Sequence, residues 1–317
     1  MSSPLLLQLL LQVMLPLSLL VAAGALWQHF NARHAVTLRL QLSNLALNLF
    51  VPALMFAISA GARLAPGLLT VPMLLAVGVV ATGLVLYGLL YRSFFGRGLA
   101  NSTRAALMLA GMFGNILFVG LPVVTFLFGA EGARYPAFAD VMAATPLVWT
   151  LGVWIATRLG SGGHGAGPGI SVSGQLLRLP PVWAFAAGVA VNLAGWEVAP
   201  LVQAAHFIGQ PTIPVMMFVL GLAIPWRSLR PSAAVLGVVA VKLLLMPLMV
   251  WGAARLLFHP LAEPQTAAVV EAAMPSMLMA ILFADRFKLD TRAAALTIGW
   301  STLLFWLTLP FWLWVLN

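Results

Sequence analysis

The chain has 317 residues, of which 62% are hydrophobic and only 7% are charged, whereas soluble domains carry about 25% charged residues. This composition excludes an ordinary soluble domain, and the absence of cysteine excludes disulfides, thiolate catalysis and cysteine-based metal sites. A net charge of +9 would suggest nucleic-acid binding in a soluble protein, but the distribution of the charges predicts a membrane protein with no nucleic-acid partner.

Ten apolar runs of roughly 20 residues are long enough to cross the hydrocarbon core of a bilayer. These predicted spans 1 to 10 are 4–28, 37–60, 67–92, 103–128, 138–158, 180–196, 200–225, 231–258, 265–285 and 292–316. The first run is interpreted as a helix and not as a signal peptide, because no cationic segment precedes it and no cleavage site is evident. The predicted fold is an all-α integral membrane protein with ten transmembrane helices.

Span 2 contains a proline-aromatic segment and a pair of asparagines. Residues 51–56 read VPALMF, and span 7 carries the related segment IPVMMF at 213–218. Asn44 and Asn48 lie one turn apart on the same helical face. They either line a substrate path or hydrogen-bond to a neighbouring helix; Asn48 is a candidate substrate-binding residue.

Span 4 contains a predicted helix break at Gly114, followed by Asn115 and Ile116. Glycine loosens helical backbone, and unwound backbone persists within a bilayer only where protein or water satisfies its polar groups. We therefore expect these three residues to line a polar pocket. A simple kink is the alternative.

A Gly/Ser-rich stretch divides the chain into two related halves. The halves are 1–159 and 180–317, joined by a linker at 160–179. Besides the segments in spans 2 and 7, GVVA occurs at both 78–81 and 237–240. Because five spans is an odd number, the second half enters the membrane with the opposite orientation. Inverted repeats of this kind are typical of secondary transporters and place the substrate site between the halves near the midplane.

Lys242 is the only lysine or arginine predicted to lie deep within a span, about eleven residues into span 8. Charged groups at that depth are costly and usually functional. Three roles are open for Lys242: it attracts an anionic substrate, it forms an ion pair with Glu271, or it takes up and releases a proton. The alternative is a long side chain that snorkels to the interface.

Span 9 has a predicted break at Pro275, followed by Ser276 and Met277, at the position equivalent to the break in span 4. Proline removes a backbone hydrogen bond and clashes with the preceding turn. Two breaks meeting at the midplane would offer the free N–H groups of half-helix N-termini to an anion. Glu271, one turn before Pro275, either carries a proton in coupling or hydrogen-bonds the loosened backbone.

Lysine and arginine are distributed unevenly between alternate loops. Twelve fall on one side of the predicted spans: Arg33, Arg39, Arg92, Arg97, Arg104, Arg158, Arg178, Arg227, Arg230, Arg286, Lys288 and Arg292. The other side has Arg63, Arg134 and Arg255. Because cytoplasmic loops carry the excess of positive charge, both termini are predicted to lie outside the cytoplasm of a multi-pass cell-membrane protein, with a bacterial inner membrane expected.

Several segments together resemble the auxin efflux carrier family, which includes the plant PIN-FORMED transporters and bacterial permeases. They are 48–56 (NLFVPALMF), 114–115 (GN), 120–122 (GLP), 271–276 (EAAMPS), 284–287 (ADRF), 301–304 (STLL) and 308–310 (TLP). The resemblance implies a 5+5 inverted repeat with broken helices 4 and 9 that cross, like the folds of bile-acid sodium symporters and sodium/proton antiporters. It also implies that helices 1, 2, 6 and 7 form a scaffold, usually dimeric, and that helices 3–5 and 8–10 move.

The chain departs from the plant members at two places. They have proline where this chain has Gly114, and they place acidic and basic residues in helix 3, whereas span 3 has none before Arg92. Their coupling arrangement is therefore not carried over. In this fold, Lys242 paired with an acid would stand where related symporters bind sodium.

The predicted function is secondary transport of a small organic anion, a carboxylate, by elevator-type alternating access without sodium. The rivals are a sodium-coupled symporter of the bile-acid type and a membrane channel or receptor. The sequence has no Walker A, GxGxxG, HExxH or GxSxG motif, so it predicts neither an enzyme nor a cofactor. The lipid bilayer and a second copy of the chain are the other expected partners.

Overall fold

The computed structural model describes residues 3–62, 64–160, 179–258 and 260–316, and in these ranges every element of regular structure is helical. The helices are α1 Leu6–Phe30, α2 Ala32–Gly61, α3 Gly67–Arg92, α4 Asn101–Met112, α5 Ile116–Phe128, α6 Ala130–Gly160, α7 Pro180–Leu193, α8 Ala199–Ala223, α9 Ala233–Leu257, α10 Glu263–Ala272, α11 Met279–Arg286 and α12 Thr291–Val315. Among the described residues, seven helices are long and apolar enough to cross a membrane: α1, α2, α3, α6, α8, α9 and α12.

The three remaining predicted spans correspond to shorter helices. Span 4 is divided between α4 and α5, span 9 is divided between α10 and α11, and span 6 is represented by the short helix α7. Most of the predicted linker, 161–178, lies outside the described residues. The arrangement of ten crossings in two inverted halves therefore remains a prediction.

Two predicted boundaries were wrong. Helix α2 begins at Ala32 instead of residue 37, directly after Asn31, whose backbone leaves the helical region. Helix α6 begins at Ala130 instead of residue 138, because a 3-10 turn at Ala130–Ala133 continues directly into α-helix. Pro136 is tolerated there because it lies in the first α-helical turn, where backbone N–H groups have no acceptor within the helix.

Five helices widen into a π-helical turn just before a proline. The turns are Leu10–Met14 before Pro16, Ala46–Phe50 before Pro52, Ile116–Gly120 before Pro122, Asp140–Ala144 before Pro146 and Val241–Leu245 before Pro247. Proline has no N–H and its ring clashes with the carbonyl of the preceding turn, so a wider turn accommodates it. Asn48, Asp140 and Lys242 each lie in such a turn, which is a common setting for functional residues.

Helices α1, α2, α7 and α8 pack through small residues that allow close approach. A Cβ added to Gly221 of α8 would lie 2.9 Å from the Cα of Gly24 in α1, and one added to Gly209 would lie 2.8 Å from the Cα of Leu54 in α2. A Cβ added to Gly188 of α7 would lie 2.7 Å from the carbonyl oxygen of Phe56 in α2. Close packing at small residues is the usual basis of helix association in membranes.

A second set of contacts joins α3, α4, α9 and α12. Gly78 of α3 packs against Val250 of α9, and Gly111 of α4 packs against Val238 of α9. Trp312 of α12 donates its indole N–H to the carbonyl oxygen of Leu243 in α9 at 2.8 Å. These helices surround the breaks between α4 and α5 and between α10 and α11.

Hydrogen bonds between different helices and loops fall into two sets, which the predicted topology assigns to opposite sides of the membrane. One set contains the pairs Arg227 Nη2 to His29 O at 3.2 Å, Arg39 Nη2 to Asp285 Oδ2 at 3.1 Å, and Thr103 Oγ1 to Asp290 Oδ2 at 2.8 Å. The other contains Asn192 Nδ2 to Ala60 O at 2.7 Å and Tyr135 OH to Glu263 Oε1 at 2.8 Å. Each pair joins segments that the alternating topology predicts to lie on the same side.

Candidate functional site: the helix crossover

The two helix breaks lie against each other and exchange backbone hydrogen bonds. The N–H of Asn115 donates to Pro275 O at 2.7 Å, and the N–H of Met277 donates to Phe113 O at 3.0 Å. Gly114 and Ser276 thus form an antiparallel bridge. The unwound segments satisfy part of each other's backbone polarity, which is the condition for irregular backbone in an apolar environment.

Gly114 leaves room for the side chain of Lys242. A Cβ added to Gly114 would lie 3.3 Å from Lys242 Nζ and 3.5 Å from the carbonyl oxygen of Glu271. A larger residue would therefore press on the ammonium group at the centre of the crossover.

Lys242 is fully buried, with 0% of its surface exposed, and its Nζ donates to Ala272 O at 2.7 Å. Ala272 is the last residue of α10, where carbonyl groups lack helical partners and the helix dipole is negative. Lys242 forms no ion pair with Glu271 in the described structure. The snorkelling alternative does not fit this burial. Pairing with Glu271 was one of three roles left open for Lys242, and in the described structure its hydrogen-bond acceptor is the carbonyl oxygen of Ala272.

Glu271 is also fully buried, in the last turn of α10. Its carboxylate lies against Gly120 of α5, so that a Cβ added at position 120 would overlap the carboxylate oxygens. Within the described part of the chain, neither of these oxygens has a hydrogen-bond partner. The side chain therefore does not hydrogen-bond the loosened backbone, which was one of its two expected roles.

A cavity of about 280 Å³ opens beside the crossover, between α2, α6, α7 and the first turns of α5 and α11. Five of the predicted substrate-binding residues line it: Asn48, Gly114, Asn115, Ile116 and Met277. The other three, Pro275, Ser276 and Lys242, are not among its lining residues. The N–H of Ser276 donates to Ser301 Oγ at 3.0 Å, which anchors the break to α12.

The cavity wall contains two helix N-termini. Ile116, Leu117 and Phe118 open α5, while Leu278 and Met279 stand at the start of α11, and all five line the cavity. The first N–H groups of a helix have no acceptor within that helix, and the helix dipole makes this end positive. Such ends attract negatively charged ligand groups.

Two asparagine side chains contribute to the same cavity. Asn115 is 3% exposed, and its Nδ2 has no hydrogen-bond partner among the described residues. Asn48 Nδ2 instead donates to Asn44 O at 2.8 Å, so it is held against its own helix. Asn115 is therefore the cavity-lining asparagine whose Nδ2 makes no hydrogen bond within the described part of the chain.

Asp140 of α6 also lines the cavity and was missed by the sequence analysis. It is half-buried, and Thr145 Oγ1 donates to its Oδ2 at 3.3 Å. An acid inside an apolar span is itself a signal of function, so Asp140 could have been identified from the sequence. No cluster of three or more potential metal-binding His, Asp or Glu side chains occurs in the described ranges.

Comparison with known proteins places the chain among membrane transporters. The family model described as membrane transport protein matches residues 10–164 and 169–313. An uncharacterized transporter of the archaeon Methanothermobacter thermautotrophicus is 31% identical over 83% of this chain and 84% of its own length. Another, from Methanocaldococcus jannaschii, is 25% identical over 63% of this chain and 64% of its own length. The chain is thus a multi-pass membrane protein that belongs to the auxin efflux carrier family of membrane transport proteins.

Proposed function

We propose that the protein is a secondary active transporter that moves a small organic anion, auxin-like or another carboxylate, through the crossover cavity. The observation that carries this proposal is the meeting of two helix N-termini and the unpaired amide donor of Asn115 at one cavity wall. Both features favour a negatively charged ligand group. The small cavity volume, about 280 Å³, suits a small ligand.

The proposed architecture has ten crossings in a 5+5 inverted repeat. Helices α4 and α5 form one broken crossing, α10 and α11 form another, and α7 is a short crossing. The bridge between Gly114 and Ser276 supports the repeat, because it joins the two breaks at equivalent positions of the halves. The repeats comprise 1–159 and 180–317, with 160–179 as a cytoplasmic linker.

Transport is proposed to follow an elevator-type mechanism. Helices α1, α2, α7 and α8 form the scaffold, and the remaining helices carry the crossover as a transport domain. The packing supports this division, since small residues join the four scaffold helices to one another. The cavity lies where α2 and α7 of the scaffold meet the crossover, which is where an elevator binds its cargo.

The described conformation is proposed to face the cytoplasm. Leu179, the last residue of the linker, and Pro180, the first residue of α7, both line the cavity. The linker is predicted to be cytoplasmic from the distribution of positive charge. Both termini then lie on the non-cytoplasmic side of the cell membrane.

Sodium independence is proposed from the position of Lys242. Its ammonium group contacts Ala272 O at the end of α10, where the negative helix end would favour a cation. The protein thus holds its own cation beside the crossover. A sodium-coupled symporter of the bile-acid type is the nearest rival, and a channel or receptor is the next.

A homodimer through the scaffold helices is proposed as the assembly. Leu193 of α7 and Leu201 and Phe207 of α8 are exposed apolar side chains on scaffold helices. Such side chains suit either lipid or a second copy of the chain. Mass measurement of the detergent-free protein in nanodiscs distinguishes a dimer from a monomer.

The test is uptake into proteoliposomes that contain the purified protein. A panel of radiolabelled pyruvate, gluconate, succinate and indole-3-acetate is offered with and without sodium and proton gradients, against protein-free liposomes. We expect saturable uptake of at least one carboxylate without sodium, together with counterflow exchange. Uptake that requires sodium would favour the symporter, and flux without counterflow would favour a channel.

A further inference from the structure

Asp140 places a carboxylate in the cavity that the proposed function assigns to an anion. The side chain lies on the cavity wall with Gly114 and Asn115, and its one described hydrogen-bond donor is the hydroxyl of Thr145. No ion pair to Asp140 occurs among the described residues. A charged Asp140 would repel an anion in this small space, and water would screen that repulsion only weakly.

We propose that Asp140 binds a proton from the cavity whenever the anion is bound, so that the protein is a proton–anion symporter. This inference rests on the proposed function, because it takes the cavity as the anion site. The proton adds to one carboxylate oxygen of Asp140, which removes the negative charge and turns that oxygen into a hydrogen-bond donor. The proton and the anion cross together, and both leave on the opposite side.

Three ionisable side chains surround the crossover: Asp140, Glu271 and Lys242. Glu271 is close enough to interact electrostatically with the other two. Glu271 and Lys242 are fully buried, whereas Asp140 is half-buried at the cavity. Exchange of a proton with water is therefore assigned to Asp140, the member of the group in contact with the cavity.

The other charged or titratable groups on the elements around Asp140 lie towards helix ends. They are Arg33, His34 and Arg39 at the start of α2, Tyr87, Tyr91 and Arg92 at the end of α3, Glu263 at the start of α10, and Asp285 and Arg286 at the end of α11. Helix α6 itself carries Glu131, Arg134 and Tyr135 near its start and Arg158 near its end, while α5 and α7 carry none. None of these groups lies in the helix segments nearest the crossover.

Charge balance explains why the proton and the anion would move together. Glu271 is a neutral acid in this scheme, because its fully buried oxygens have no hydrogen-bond partner and a bare charge there would be costly. The empty carrier with charged Asp140 and charged Lys242 is then neutral. The carrier with a protonated Asp140, charged Lys242 and a bound monoanion is neutral as well.

The two partly loaded forms carry a net charge. A proton on Asp140 without the anion leaves one positive charge, and the anion without the proton leaves one negative charge. A net charge within the membrane interior is unfavourable by several kcal/mol on most scales. The transport domain therefore crosses in its empty or fully loaded form, which is the condition for tight coupling.

The experiment compares wild-type protein with D140N in sodium-free proteoliposomes. The substrates are the labelled monocarboxylates of the same panel, and a pH-sensitive dye inside the vesicles records proton movement. For the wild type, we expect an inwardly directed proton gradient to drive accumulation of the anion, with internal acidification in step. D140N, neutral at every pH, should retain counterflow exchange but lose gradient-driven accumulation and acidification.

Two further variants keep the result interpretable. D140E preserves the carboxylate and should retain coupling, while E197Q removes an exposed acid in the loop after α7 and should behave as wild type. Size-exclusion chromatography in detergent verifies that each variant is folded. If D140N is misfolded, the pH dependence of uptake decides the question, because D140E moves the carboxylate within the cavity and should shift the pH at which proton-driven uptake is half-maximal. An identical pH profile for D140E and the wild type would overturn the role of Asp140.

The outcomes separate this inference from the proposed function. Wild-type exchange of a carboxylate with no response to the proton gradient would overturn the role of Asp140 and leave anion transport standing. Accumulation by D140N equal to that of the wild type would do the same. Failure of the wild type to exchange any carboxylate would overturn anion transport itself, and the symport proposal with it.

Discussion

A hydrogen bond of 2.7 Å from Lys242 Nζ to the backbone carbonyl oxygen of Ala272 joins α9 to the helix break that follows α10. The donor is fully buried, and the acceptor is the last residue of α10. A helix C-terminus provides unpaired carbonyl groups and a negative potential, both of which suit an ammonium group. The contact therefore ties the charge of Lys242 to the geometry of the crossover.

Replacement of Lys242 by methionine should abolish transport while permitting membrane insertion. Methionine fills a similar volume but leaves Ala272 O without its donor, which costs about 1–3 kcal/mol for a buried group. Lys288→Met, at an exposed lysine after α11, is the matched control and should be tolerated. Normal uptake by Lys242→Met would show that Lys242 is not required for transport.

Replacement of Asn115 by alanine should abolish carboxylate uptake with little effect on stability. The Nδ2 of Asn115 has no described protein partner, so its removal breaks no hydrogen bond of that amide group within the protein. A decrease of more than about 1 kcal/mol in the free energy of unfolding would instead indicate that Asn115 has a packing role. Asn101→Ala, at the exposed start of α4, serves as the control. Uptake by Asn115→Ala at the wild-type rate would refute substrate binding by the amide of Asn115.

The helix breaks could be located from the sequence because glycine and proline act on the backbone directly. Gly114 and Pro275 stand at equivalent positions, and the structure interrupts the helices at both. The partner of Lys242 could not be found in this way, since it is a backbone carbonyl and any residue supplies one. Glu271 was the obvious acidic partner by residue type, but its carboxylate faces Gly120 instead.

Asp140 was not predicted as a site residue, because its position in the helix depends on where that helix begins. Its depth in the helix was concealed because span 5 was predicted to begin at residue 138, whereas α6 begins at Ala130. The earlier start places Asp140 well inside the helix, at its first π-helical turn, and no longer near an interface. An error in one helix boundary thus concealed a candidate functional residue.

The sidedness of the chain can be tested with reporter fusions. Because twelve positively charged residues in one set of loops oppose three in the other, both termini are expected outside the cytoplasm. A reporter that is active only in the cytoplasm should be silent after Asn317 and active when inserted near Gly165. The reverse pattern would refute both the topology and the inverted repeat.

Gly120 should not tolerate a side chain, because the carboxylate of Glu271 occupies the space that a Cβ would fill. Overpacking of a tight core typically costs about 1–3 kcal/mol, so Gly120→Ala should lower the thermal unfolding temperature in detergent. Gly88→Ala is the matched control, since a Cβ at position 88 would meet no atom within 4 Å.

A double-mutant cycle identifies the origin of that destabilisation. Shortening Glu271 to alanine should relieve the overlap, so the effects of Gly120→Ala and Glu271→Ala should deviate from additivity by about 0.5–3 kcal/mol, as expected for residues in contact. Helix propensity acts in the opposite direction, because alanine within α5 is favoured over glycine by about 1 kcal/mol. A stabilised Gly120→Ala variant, or strictly additive effects, would mean that the Glu271 carboxylate does not rest against Gly120.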